Sequence, residues 1–211
     1  MTLSPLFAVH IADGILALPW QVSGFVVLVA LIAFALIRID DRAIPRIGVL
    51  TAAFFVASQI HIPFGPISVH LLLNGLVGVI LRYRSPLAIA VGLVLQALLF
   101  GHGGWLSLGV NFQVLALPAL AAGWAFPWLA VRVAPFTAGL VIGLATAAVT
   151  VLLHVTVLWL GGSSDFRAVA GVSLVAHLPV IAIEGLVVGS ACRVLAKAKP
   201  EWLSVPRPAD S

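Results

Sequence analysis

Six histidines, His10, His61, His70, His102, His154 and His177, are the residues of this chain best suited to chemistry. An imidazole nitrogen is a good ligand for nickel, cobalt, copper and zinc, whereas magnesium and calcium sites need several oxygen donors. Carboxylates are scarce, with 7 Asp and Glu in all, and only Asp13 and Asp165 fall on the side of the chain that carries the histidines. That balance favours a late first-row transition metal. The single cysteine, Cys192, excludes an intrachain disulfide and a multi-cysteine metal cluster.

The elements that position these residues are membrane spans. Of 211 residues, 62% are hydrophobic and 9% charged, against about 25% charged in soluble proteins. Crossing the hydrocarbon core takes roughly 20 mostly apolar residues in helical form, because the backbone must satisfy its own hydrogen bonds there. Apolar runs separated by polar or Gly/Pro-rich breaks place spans at 18–38, 44–61, 67–82, 86–101, 112–131, 136–160 and 169–195. The expected fold is therefore an all-α, polytopic membrane bundle of about seven transmembrane helices. It forms one transmembrane domain over 1–199, with an N-terminal loop near 9–16 and a polar tail over 200–211. No internal repeat stands out, and the segment before Val9 has neither the basic region nor the apolar core of a cleavable signal. The formal charge of +4 is scattered in ones, twos and threes, which argues against nucleic-acid binding and for a role in topology.

Short cytoplasmic loops carry an excess of Lys and Arg. With seven spans, Arg38, Arg42, Arg46, Arg82, Arg84, Arg132, Arg193, Lys197, Lys199 and Arg207 fall on one side and only Arg167 on the other. This predicts the N-terminus outside and the C-terminus inside. All six histidines then lie in the extracytoplasmic half, although they played no part in the assignment.

Each has an ordinary reading as well. A histidine in a helical membrane protein often bridges helices by hydrogen bonding, which is the first expectation for His154 and His177. His61, between Gln59 and Pro63, suits a solvated loop as well as a ligand or a way in for an ion. His10 and His70 are the favoured ligands. The run Gly101-His102-Gly103-Gly104 lacks the lysine of a phosphate-binding loop and suits a close packing of backbones over the site. Asp13, His102 and Asn111 are supports for that loop. Glu184, halfway along the last span, is an ionisable group in a costly place, either bonded to a neighbouring helix or handling ions. Gly139, Gly143, Ala145 and Ala148 form small faces that suit packing with a partner or within the bundle.

Four segments resemble the CbiM and NikM substrate-binding components of energy-coupling-factor importers for cobalt and nickel. They are His10-Ile11-Ala12-Asp13-Gly14-Ile15-Leu16; Ser68-Val69-His70-Leu71-Leu72 with Asn74-Gly75-Leu76; Leu99 to Gly104 running on to Leu108-Gly109-Val110-Asn111; and His177-Leu178-Pro179 with Ile183-Glu184-Gly185. The resemblance implies a metal held by the N-terminal amine, the next amide nitrogen, the imidazole at His10 and the imidazole at His70. It implies Ni2+ or Co2+ as transported substrate, no permanent cofactor, and a plasma or inner membrane location. The implied partners are a membrane coupling subunit, cytoplasmic ATPase subunits and a small accessory membrane subunit. The chain's own lack of a Gly-x-x-x-x-Gly-Lys-Ser/Thr sequence agrees with a transport subunit that is not an enzyme.

In that family the histidine directly follows the initiating methionine, whereas eight residues precede Val9 here. The expectation is that translation starts at Val9, since GTG encodes valine internally and methionine at a start. The implied sequence of events is metal arriving from outside, exchanging water for nitrogen around His10 and His70, and being covered by the loops bearing His61 and His102. Affinity would fall on acidification through the histidine range. Two rival readings remain at this point: an intramembrane metalloenzyme, for which the His-Glu-x-x-His helix and a general base are missing, and a regulatory subunit that has lost metal binding.

Overall fold

A computed structural model describes residues 10–37, 39–64 and 67–203. The expectations resting on Val9, Arg38, Arg207 and the Asp165 side chain lie outside what is described. Among the described residues the chain forms seven α-helices and one hairpin: α1 (Leu18–Leu36), α2 (Ile44–Ala57), β1 (His61–Phe64), β2 (Ile67–His70), α3 (Asn74–Leu81), α4 (Ser85–Phe100), α5 (Leu108–Ala130), α6 (Pro135–Gly161) and α7 (Ser164–Ala198). Proline opens α1, α2, α4 and α6, where its missing N–H costs nothing and its fixed φ suits the first turn.

The centre of the bundle is α5, which packs against α1, α3, α4 and α6 and buries Asn111, Phe112, Ala116, Ala119 and Phe126. Lipid tails give helices no hydrophobic reason to associate, so close van der Waals packing at small residues must do it. Gly24 of α1 and Gly109 of α5 meet in this way: a Cβ on Gly24 would stand 2.5 Å from the Val110 nitrogen. The outer face of α1, with Val22, Val26 and Val29, stays exposed along its length, as suits contact with lipid. The most extensive helix pair is α6 with α7, where Gly139 and Gly143 press on Val188 and Glu184 of α7. Those two glycines thus pack within the bundle, while Ala145 is exposed.

Among the described residues, five segments are long and apolar enough to cross a membrane: Leu18–Leu36, Asn74–Phe100, Leu108–Ala130, Pro135–Gly161 and Ala170–Ala198. The 14-residue α2 is apolar but shorter, and α3, with 8 residues, runs on through a turn at Arg82–Arg84 into α4. The third expected span, 67–82, needs correction. Its first residues form β2, paired antiparallel with β1 so that His61 lies opposite His70, and helix begins only at Asn74. Leu73, in the left-handed region at φ 48°, makes the turn into α3. The last described residues pack against the bundle. Leu203 is buried with Val79, Ala122 and Phe126, and Arg46 lies over the Trp202 ring at 5.5 Å.

Candidate metal centre

The loop from His10 to Leu16 lies over the bundle and is pinned at several points. Asn111, one turn into α5, grips Ile11 twice: the Ile11 N–H donates to its Oδ1 at 2.8 Å, and its Nδ2 donates to the Ile11 carbonyl at 2.9 Å. Two residues on, the Asp13 carboxylate accepts from the Ser107 N–H at 2.8 Å, while the Ser107 hydroxyl donates to the Ala12 carbonyl at 3.0 Å. At the far end Gln21 donates to the Leu16 carbonyl at 3.0 Å, and Leu16 bridges to Gly162 beyond α6. The glycine run after α4 closes over this loop. Gly104, at φ +107°, leaves no room for a side chain, since a Cβ there would fall 2.4 Å from the Asp13 Cγ.

These supports bring His10 to the hairpin. Its ring centroid is 5.1 Å from that of His70, which is 5.6 Å from His61, which in turn is 5.2 Å from His102. The row runs from partly exposed rings at His102 and His61 to buried ones at His70 and His10. With nitrogen about 2.0–2.1 Å from a divalent ion, two imidazoles sharing that ion have centroids about 4.5 Å apart in cis and about 6.3 Å apart in trans. All three neighbouring pairs of the row fall inside that span. Among the described residues no three His, Cys, Asp or Glu side chains gather into one metal-binding group. The row supplies imidazoles in pairs, and any further ligands must be backbone groups or water.

Backbone carbonyls fix the tautomer of two of these rings. The Nδ1 of His70 is 2.9 Å from the Leu71 carbonyl and that of His61 is 2.9 Å from the Gln59 carbonyl. A carbonyl only accepts, so each Nδ1 carries the proton and each Nε2 keeps a lone pair. The Nε2 atoms of His70 and His10 are buried without a hydrogen-bond partner. Burial, opposed in part by the Leu71 hydrogen bond, pushes the His70 pKa down to about 4. Burial first, and then the charge of His70, hold His10 well below its usual value, and burial with His61 lowers His102. His70 and His10 therefore stay neutral below the ordinary histidine range.

The remaining polar residues sort as follows. His154 and His177 lie deeper, in α6 and α7, with centroids 6.5 Å apart. They are beneath the outer row, and a cavity of about 10 Å³ connects them with His10. Glu184 is not near the rings: its Oε1 accepts from the backbone N–H groups of Leu72 and, at 2.9 Å, Leu73. It holds the segment that follows His70. Ser107, Gln21 and Ser173 were not singled out from the sequence. Ser107, the residue that opens α5, was the one with a local signal, since a serine at a helix start is a common cap.

The comparisons with known proteins agree with one another. Residues 10–202 match a family model described as CbiM, cobalt uptake substrate-specific transmembrane region. A Haemophilus influenzae protein named for metal transport is 34% identical over 92% of this chain and 97% of its own length. The cobalt transport protein CbiM of Sorangium cellulosum is 29% identical over 92% of this chain and 94% of its own. A crystal structure of a transition metal transporter has the same fold, with a TM-score of 0.77 at 21% identity, covering 90% of this chain and 93% of that one.

Proposed function

Because the chain belongs to the CbiM family, a cobalt uptake substrate-specific transmembrane region, we propose that it captures Ni2+ or Co2+ as the substrate-specific subunit of an energy-coupling-factor importer. The observation that carries this reading is the His10–His70 pair, 5.1 Å apart, both rings buried, with the Nε2 of His70 lacking a hydrogen-bond partner. Nitrogen-rich, carboxylate-poor surroundings suit either metal. His61 and His102, half-exposed, receive the ion, and the glycine loop covers it. The remaining ligands are backbone nitrogen of the segment at and before His10, with the terminal amine when the chain starts at position 9.

The same reading puts the N-terminus and the histidine row outside, the C-terminus inside, and treats the transmembrane part as one metal-binding unit. In this arrangement α2, α3 and α4 each count as a crossing beside α1, α5, α6 and α7, which makes the total seven. Transport then needs a membrane coupling subunit and cytoplasmic ATPases, with a small accessory membrane subunit as a further partner. The test is calorimetric titration of Ni2+ and Co2+ into the purified chain and into His70→Ala. Tight binding lost in the variant supports the reading, and equal affinity in the two chains removes it.

A further inference from the structure

One buried side chain is tied to three of the four histidines of the outer row. Gln96, one turn before the end of α4, is fully buried, and its backbone carbonyl accepts from the His102 N–H at 3.3 Å. Its side-chain Nε2 donates to the Ser58 hydroxyl oxygen at 2.8 Å. That oxygen, at the end of α2, also accepts from the Gln59 side-chain amide at 2.9 Å, and the Gln59 carbonyl in turn holds the His61 ring. Ser58 gives its one hydroxyl proton to the Phe55 carbonyl at 2.6 Å, so towards Gln96 it can only accept. Gln96 must therefore turn its Nε2 to Ser58 and its Oε1 the other way. This oxygen is buried and receives no hydrogen bond. A buried acceptor without a donor needs a physical reason, and His10 supplies one. Burial foremost, and then the neighbouring histidines, lower the His10 pKa, whereas the Gln96 side chain raises it, the effect of an oxygen beside a ring N–H.

We propose that Gln96 is a positioning residue of the metal centre: its Oε1 accepts the Nε2–H of His10 and so fixes the tautomer that leaves Nδ1 free for the ion. The inference rests on the proposed capture of Ni2+ or Co2+ at His10 and His70. A histidine that holds a metal through one nitrogen gives its other N–H to an acceptor, which orients the ring and makes it a stronger ligand. At His70 and His61 a backbone carbonyl fills that place, from Leu71 and Gln59. Among the described residues no backbone carbonyl does so for His10, whose Nε2 is buried without a partner. A chelate between the His10 amide nitrogen and its own ring closes through Nδ1, since only that nitrogen forms a six-membered ring. The proton then sits on Nε2, a buried donor that needs an acceptor, and Gln96 offers a buried acceptor that needs a donor. One hydrogen bond satisfies both. Anchored on Ser58, the amide cannot turn its own N–H groups to the ring without losing that anchor and setting donor against donor. Through Ser58 and Gln59 the same buried network also orients His61.

The test reads the His10 tautomer by ring-nitrogen NMR of the metal-free full chain in detergent, with isotope-labelled histidine and the His10 signals assigned by their loss in His10→Ala. The expected result is a protonated Nε2 and an unprotonated Nδ1 in the wild type and in Gln96→Glu, which keeps an oxygen acceptor, and a mixture of tautomers in Gln96→Leu. Calorimetric titration of Ni2+ into the same chains should show binding about 10- to 100-fold weaker in Gln96→Leu and close to that of the wild type in Gln96→Glu. A merely structural role would weaken binding in both variants and leave the tautomer unmoved, which overturns the proposal. A proton on Nδ1 of His10 in the wild type also overturns it while leaving outer capture standing, and this reading needs no variant of Gln96 to fold. A wild type that binds no Ni2+ overturns outer capture and the part of Gln96 in it.

Discussion

The Oε1 of Glu184 on α7 accepts a 2.9 Å hydrogen bond from the backbone N–H of Leu73, 111 residues away in sequence, and a second from Leu72. Leu73 is the left-handed residue through which the chain turns from β2 into α3, so Glu184 fixes the backbone three residues after His70. Glu184→Ala leaves two buried N–H groups without an acceptor, at about 1–3 kcal/mol each. The expected outcome is a lower unfolding temperature together with Ni2+ affinity reduced about 10- to 100-fold, as for other groups that orient a ligand. Glu184→Gln, which keeps one oxygen acceptor, recovers part of both. Unchanged affinity in folded Glu184→Ala would show that the latch does not reach His70.

How the hairpin escaped sequence reading follows from the same contact. Ile67 to Leu73 is nearly continuous with the apolar residues of α3, and an apolar run alone does not tell a buried strand from a helix. The backbone between strand and helix is held by a carboxylate from the last span, a tertiary partner with no local trace. The loop braces were more legible, because Asp13, Asn111 and the Gly101–Gly104 run are polar or glycine positions flanked by apolar spans. Ser173 was not, since its contribution is a backbone carbonyl, which any residue has.

Asn111 holds both backbone groups of Ile11, next to His10. In Asn111→Ala those groups are left buried and unpaired, and a cost of about 2 kcal/mol corresponds to about 30-fold more frequent opening of the loop. Hydrogen exchange at Ile11 should accelerate by that factor, with a parallel loss of Ni2+ affinity. Exchange that stays at the wild-type rate would mean that the Asp13–Ser107 contacts hold the loop alone.

Keeping His70 neutral in the fold has a pH signature. Its pKa is about 4 when folded and near 6.5 when unfolded. Below 6.5 the unfolded chain takes up a proton that the folded chain refuses until about pH 4. Stability is thus fully present above pH 6.5 and falls as pH drops through that window, by about 3 kcal/mol in all. In detergent, the wild-type unfolding temperature should decline between pH 6.5 and 4, and His70→Gln should decline less steeply. Parallel curves would reject a buried, neutral His70.

The last prediction concerns the start of the chain. An amine on the residue before His10 closes a five-membered chelate ring with the His10 amide nitrogen, and that amide closes a six-membered ring with Nδ1. Each ring makes the next donor effectively intramolecular, which is why the amine helps the amide to lose its proton. In a chain that begins at Met1, eight residues precede Val9 and the terminal amine lies outside that ring system. A chain beginning with methionine at position 9 should therefore bind Ni2+ about 100-fold more tightly than one beginning at Met1, about 2.7 kcal/mol. It should also show the yellow absorption of square-planar Ni2+ on nitrogen. Calorimetry and absorption of the two chains at equal pH decide the matter. Equal affinity with the yellow band in neither would mean that His10 and His70 bind the ion by side chains and water alone, and a natural N-terminus at Met1 would then be compatible with capture.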